Sequence, residues 1–366
     1  MRRRQFTETW ILTALIAVTL GCGRAVVADA LPPIRLFRST SLSGWEPTIT
    51  NGQTRWVSPA WQPEFLWDEA VPSWNVGVAS AWEFELRSID PTGNSSWYSL
   101  GHWCSDTNQG PRTSVVGQSD AQGRVATDTL ILTRPATALQ ARLTLGPKTT
   151  TNDFRQFTVS VLASKQTWPE PDPYRLAWGR QLAVPVRSQA DFPEGVQSWC
   201  SPTSVTMVVA WWLSVWGIPS QPMPIPSVPE TARDVFDPGW PGAGNWAFNV
   251  AFLGQTPGLR SAVVRLAGTA DLERWIASGW PVVTSVSYTM LKGGLKPEIG
   301  DGHLVVVRGF SAEGDVLIND PGVRTSRVSQ TIPRAAFRAA WAQSRNTAYV
   351  VWPIRAKLPA GGDGRW

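Results

Sequence analysis

The chain has 366 residues, 43% hydrophobic and 17% charged, which is enough for two globular domains and too apolar for a disordered protein. Of its formal charge of +5, Arg2, Arg3, Arg4 and Arg24 against Glu8 and Asp29 account for +2, leaving about +3 for the rest. That remainder, with no later Lys/Arg run, excludes a charge-driven nucleic-acid or membrane partner.

Residues 1–30 read as a secretory signal, with a basic start at Arg2 to Arg4, an apolar core from Trp10 to Leu20 and a small-residue cleavage site at Ala28-Asp29-Ala30. The core is too short to span a bilayer, and no later stretch has the length of a membrane helix. Export to the medium or the cell envelope is therefore expected. Arg3-Arg4-Gln5-Phe6 resembles a twin-arginine signal, and Thr19-Leu20-Gly21-Cys22 admits lipidation at Cys22 as a minority reading. Loss of the leader leaves two of the three cysteines, Cys104 and Cys200. In an oxidising compartment a disulfide between them is the competing expectation. Free thiols are favoured because the two lie in different predicted domains and a chain of this size folds without a staple.

Residues 31–165 carry short alternating runs, at Ala81 to Arg87, Thr127 to Thr133, Ala138 to Leu145 and Gln156 to Leu162, broken by turns such as Asp90-Pro91-Thr92-Gly93-Asn94. This period of two predicts antiparallel strands, hence an all-β sandwich. Its tryptophans could stack on a sugar or a peptide, but core packing is the expectation. His102-Trp103-Cys104 has too few ligands for a metal site, and no cofactor is implied. Residues 166–178, with Pro169, Pro171 and Pro173, read as a linker. Residues 179–356 then mix helices at Cys200 to Trp216, Asp271 to Ser278 and Pro333 to Ala342 with strands at Val282 to Tyr288, His303 to Phe310, Val316 to Asn319 and Ala348 to Pro353. Residues 357–366 read as a flexible tail.

Cys200 is the candidate nucleophile. Pro202 favours a first helical turn, so Cys200 sits at a helix start, where the macrodipole and the free amides favour the thiolate. Such a cysteine needs a base, and the sequence has only two histidines, His102 and His303. Imidazole takes a thiol proton near neutrality, and His303 opens a strand that returns through a hairpin to Asp320. A turn at Glu313-Gly314 pairs Asp320 with Val307, four positions from His303 and too far to bond without a bulge. One at Ser311-Ala312 pairs Asp320 with His303, and this tighter register is the prediction. Asp320 would then orient the imidazole, with Asn319 and Asp301 as substitutes. The developing oxyanion needs donors, from the Cys200 backbone and from a side-chain amide, for which Gln189 and Gln197 both remain.

Val184-Pro185 leading to Ser188-Gln189, Trp199-Cys200-Ser201-Pro202-Thr203-Ser204, Gly244-Asn245-Trp246-Ala247-Phe248-Asn249, Gly302-His303-Leu304 and Asn319-Asp320-Pro321 together resemble the papain-fold cysteine peptidases of the bacteriocin-processing, double-glycine type, in their secreted bacterial branch. The resemblance covers about Leu182 to Pro353. It implies a Cys200, His303, Asp320 triad with Gln189 as oxyanion donor, although Gln189 stands further from Cys200 than is usual. It also implies an α+β fold, in which an amino-terminal β-sandwich is followed by a papain-like (cysteine proteinase) domain with a lead helix packed on an antiparallel sheet. The expected function is an exported cysteine peptidase or amide hydrolase acting on a peptide or cell-wall peptide. The alternative is a non-catalytic envelope binding protein with a Trp-rich β domain and an inactive peptidase-like domain.

Overall fold

The computed structural model describes residues 31–50, 52–216 and 224–366. The proposed leader with Cys22 lies outside them, as do Gly217 and Pro219, the residues whose type is expected to end the helix that starts at Cys200. Pro32 to Trp366 forms one compact unit of mixed α and β structure, built on three sheets.

Among the described residues, the amino-terminal half consists of strands and their connections, with one short turn of 3-10 helix. Its strands are β1 (Ile34–Ser39), β2 (Glu46–Thr50), β3 (Gln53–Val57), β4 (Trp67–Val76), β5 (Trp82–Asp90), β6 (Gly93–Asn94), β7 (Tyr98–Trp103), β8 (Gly123–Ala126), β9 (Thr129–Ala136), β10 (Ala138–Leu145) and β11 (Phe154–Leu162). They pair antiparallel in two sheets, one in the order β1-β11-β4-β9-β8, the other β2-β3-β10-β5-β6 with β7 on β5. Inward residues of both sheets share one core. In it Phe84 of the second sheet stacks on Trp74 and Phe157 of the first, at centroid distances of 3.9 and 5.8 Å. Trp45, Trp67, Trp74, Trp82 and Trp103 are all buried there, so the tryptophan wealth of this half goes mainly into packing.

The carboxyl-terminal half comprises α1 (Cys200–Trp216), α2 (Val228–Asp234), α3 (Trp246–Leu253), β12 (Leu259–Arg265), α4 (Thr269–Ala277), β13 (Val282–Ser287), α5 (Tyr288–Leu291), β14 (Gly302–Phe310), β15 (Val316–Asn319), β16 (Ser329–Ile332), α6 (Arg334–Ala342) and β17 (Thr347–Pro353). Its strands form one antiparallel sheet in the order β12-β17-β13-β14-β15-β16. Helix α1 carries no charge, only apolar and small hydroxyl side chains, and is buried from Cys200 to Trp212, as a helix enclosed on all sides must be. It is pinned to the sheet by Ser204 Oγ, which donates to the Leu304 carbonyl at 3.1 Å, and by the Ser201 and Tyr349 hydroxyls at 3.0 Å.

The two halves meet along β12, whose outer edge would otherwise be an open row of amides. Side chains from the first sheet close it. The amides of Ser261, Val263 and Arg265 donate to Asn75 Oδ1, Ser73 Oγ and Ser160 Oγ at 2.9 to 3.0 Å. Gln156 Nε2 and Asn75 Nδ2 donate in turn to the Ser261 carbonyl. Strand β4 is thus covered on both faces, and every residue in it is buried.

The segment expected as a linker is tied down: Trp168 Nε1 donates to the Ala267 carbonyl, and Glu170 accepts from Thr269. The segment expected as a flexible tail also packs, for Arg365 grips Asp271 with two hydrogen bonds at 2.8 and 2.9 Å while Trp366 joins the core beside Trp275. The reason is that Asp271 is buried in α4 and needs a cation.

Replacing Asn75 by alanine strands the buried Ser261 amide. We expect a loss of about 2 kcal/mol in denaturant-derived stability, within the usual cost of an unsatisfied buried donor; unchanged stability would mean that the edge is satisfied in another way. Replacing Arg365 by alanine leaves Asp271 buried without its partner, and the same measurement should show a loss of about 3 kcal/mol.

Candidate active site

Trp199 precedes α1 and its carbonyl accepts the Thr203 amide at 3.0 Å, so Cys200 is the first residue of the helix and Pro202 lies in its first turn. The thiol is free and buried, as is Cys104, so neither described cysteine is in a disulfide. Burial works against the thiolate, but hydrogen bonding and charge from His303, then the amides of Leu304 and Ser201, outweigh it and bring the Cys200 pKa below that of an ordinary thiol.

His303 is the second residue of β14 and is buried. Its Nε2 meets Asp320 Oδ1 at 2.6 Å, which leaves Nδ1 for the thiol. Burial pushes the imidazole down, yet the bonds to Asp320 and Cys200, with their charges, raise it to about 9. Asp320 is buried too, which opposes ionisation, but the His303 bond and charge and those of Lys292 hold it well below the usual carboxylate range. Together the three side chains can hold a thiolate beside an imidazolium, the nucleophile and proton donor needed to break an amide.

The predicted hairpin register is corrected. The turn spans Ser311 to Asp315, and β14 and β15 pair as Phe310 with Val316 and Gly309 with Leu317, then as Val307 with Ile318 and Val306 with Asn319. Arg308 is the extra residue of a bulge. Were it paired in the ladder, Asp320 would fall opposite Val306 and face away from His303; set out of the ladder, it leaves a register that, carried one residue past Asn319, sets Asp320 beside Val305 and diagonal to His303 on one face. The bulge occurs just beyond the pair of Val307 with Val282, the first residue of β13, where residues 178–182 take over as neighbour: Leu182 donates to the Arg308 carbonyl, and Phe310 donates to the Arg180 carbonyl. Gly309 permits the approach, since a Cβ there would lie 2.3 Å from the Arg180 carbonyl oxygen.

Several supports were not read from the sequence. Lys292 Nζ donates to Asp320 Oδ2 at 2.6 Å, Gln330 Nε2 to the same oxygen at 3.2 Å and the Gly322 amide to Oδ1 at 2.8 Å. Tyr288 sets its ring edge to face against His303, 4.9 Å between centroids. Gly322 allows the loop to close, because a Cβ there would sit 2.8 Å from the imidazole Cε1. The Pro-Gly pair after Asp320 was the available signal for this turn; nothing in the spacing of Lys292, Gln330 or Tyr288 pointed to Asp320.

The substitutes for Asp320 are engaged elsewhere. Asn319 donates to the Val184 carbonyl and accepts from Ser329, and Asp301 accepts from Ser287 and the Thr289 amide. Of the two amides, Gln189 is buried, its backbone N–H donating to the Pro321 carbonyl at 3.0 Å and its Nε2 to the Val196 carbonyl at 2.7 Å. Gln197 is exposed and, with Cys200, lines a cavity of about 590 Å³, a wall in which Gln189 has no part. The cavity is bounded by both halves of the chain. From the amino-terminal half come Glu69 of β4 and the β8–β9 turn, where Asp128 accepts from the Trp246 amide at 2.8 Å. Burial lifts Asp128 to about 6, against the bonds from Trp246 and Thr129 and the charge of Arg265.

Residues 32–164 match the family model for the Peptidase C39 N-terminal domain, and residues 181–349 match that for the Peptidase_C39 like family. The chain belongs to the C39-like peptidase family. As a member of that family it carries a peptidase domain. No curated protein matches the chain. Among solved structures it is similar to one from Bacillus anthracis assigned as a putative C39-like peptidase, at 20% identity over 49% of this chain and 98% of that one, with a TM-score of 0.35.

Replacing Asp320 by asparagine removes the charge that raises His303. Alkylation of Cys200 by iodoacetamide at pH 7 should then slow by about tenfold, the factor carried by one pKa unit. Lys292→Met should slow it less, because Gln330 and Gly322 still hold the carboxylate. An Asp320→Asn protein that alkylates like the parent would break the link between the two residues.

Proposed function

We propose that the chain is an exported cysteine peptidase, or amide hydrolase, in which Cys200 attacks a peptide carbonyl, His303 carries the proton to the leaving amine, and water releases the acyl enzyme. The observation that carries this reading is the His303 ring, bonded on one side to Asp320 at 2.6 Å and on the other to a thiol of lowered pKa. Asp320 orients the ring and stabilises its cation; anchored by Lys292, Gln330 and Gly322, it has little freedom to move.

Oxyanion stabilisation falls to the Cys200 amide and, in this reading, to Gln189. A useful donor must be fixed before the charge develops, and the buried Gln189 is held through its backbone N–H by the Pro321 carbonyl and through Nε2 by the Val196 carbonyl, while Gln197 is exposed. The domain scheme follows the sequence: a leader at residues 1–30, a β-sandwich at 31–165, a linker at 166–178 and a papain-like domain at 179–356, with α1 as its lead helix. The shared core of the first two sheets and the packing of α1 on the third support it. Export rests on the leader, and the substrate class is a peptide or the peptide part of cell wall. The binding-protein reading gains nothing from the tryptophans, most of which are spent in the core.

Cleavage of a fluorogenic peptide library should vanish in Cys200→Ala. Its kcat/KM should rise with pH as the Cys200 thiol ionises below the ordinary thiol value, then fall near pH 9 as His303 loses the proton it must donate. Cleavage that survives in Cys200→Ala would sink the proposal.

A further inference from the structure

Among the described residues, four charged side chains line the Cys200 cavity: Glu69, Asp128, Arg265 and Arg345. Three of them face one another or the backbone. Arg265 and Glu69 form an ion pair at 3.2 Å with side chains 3% and 11% exposed, and Asp128 is held by the Trp246 amide and the Thr129 hydroxyl. Arg345 differs. Its side chain is 49% exposed, its one ion contact is a loose 3.6 Å from Nε to Glu69, and its guanidinium makes no hydrogen bond among the described residues. The one charged side chain of this lining without a hydrogen-bond partner among the described residues is therefore positive, and Arg345 also borders a second cavity beside Glu170 and Arg338.

Arg345 stands in the turn that joins α6 to β17, its amide donating to the Ala342 carbonyl and its φ, like that of Asn346, left-handed at 58° and 54°. The turn fixes the backbone from which the guanidinium extends. A guanidinium fork with donors to spare matches a carboxylate through two parallel hydrogen bonds.

We propose that the Cys200 cavity takes peptides bearing a carboxylate, which Arg345 holds; this rests on the peptidase reading given above. The carboxylate belongs either to an acidic side chain or to the free end of the substrate chain. In the first case the enzyme cuts beside acidic residues, and in the second it cuts near a carboxyl terminus.

The test uses the full chain and three hexapeptide mixtures: one with a free carboxyl terminus and no acidic side chain, one amidated and containing glutamate, and one amidated with glutamine in its place. Protection of Cys200 from iodoacetamide is the readout. At least one carboxylate-bearing mixture should protect at concentrations about tenfold lower than the neutral one, a difference within what a charge-assisted hydrogen bond contributes. Which mixture does so identifies the source of the carboxylate. The preference should vanish in Arg345→Asn, a residue that tolerates the left-handed backbone, and persist in Arg345→Lys. Equal protection by all three mixtures, protection by none, or a preference that survives in Arg345→Asn would overturn the proposal. Failure of the peptidase reading looks different, because Cys200 then resists alkylation with no peptide present. In that event the tryptophan fluorescence of Cys200→Ala, titrated with the same mixtures, reads the order of binding without a reactive thiol, and an equal response to all three counts against Arg345.

Discussion

The outer edge of β12 is the constraint on which the arrangement depends. A sheet ending in an unpaired strand needs a partner for each outward amide, and here the partners are Asn75, Ser73 and Ser160, side chains of a different sheet. Polar atoms buried between two layers cost free energy unless each meets a partner, so such a contact tolerates one registration and few others. That registration brings Glu69 and the β8–β9 turn to the cavity that Cys200 faces. Arg265, at the end of β12, links both matters, since its amide belongs to the covered edge and its guanidinium to the cavity wall.

Within the site, charge is organised around Asp320. A buried carboxylate is costly, and this one is offset by Lys292, Gln330, the Gly322 amide and the imidazole together. The proton it draws toward His303 is the one the thiol gives up. Lowered Cys200, raised His303 and depressed Asp320 are thus one balance seen from three atoms.

Much of this was legible in the sequence, and the rest was hidden for identifiable reasons. Helix α1 begins at Cys200 because Pro202 belongs in a first turn, and β5, β9, β10 and β11 follow alternating runs that leave one face apolar. Strand β4 has no such alternation because both its faces are buried, and Pro72 together with Asn75 argues against a strand locally. Those polar residues make sense only once β12 lies against them. His303 and Asp320 could be paired from the sequence because histidine is scarce, but the register could not be fixed, since a bulge leaves no mark in a pattern of apolar residues. Lys292 reaches Asp320 from the end of α5, a contact that exists only in three dimensions.

The bulge at Arg308 gives the site a particular fragility. Side chains alternate across a strand, so His303 and Asp320 share a face only while β14 and β15 keep the register that the bulge sets. Pairing that ran unbroken from Phe310 with Val316 through all the residues now present would put Asp320 opposite Val306 and turn its carboxylate to the other face with the sheet still intact. A longer turn between Ser311 and Asp315 leaves that pairing alone, whereas a slip of one residue along the strands does not. A relative with such a slip would retain Cys200, His303 and Asp320 and lose their meeting.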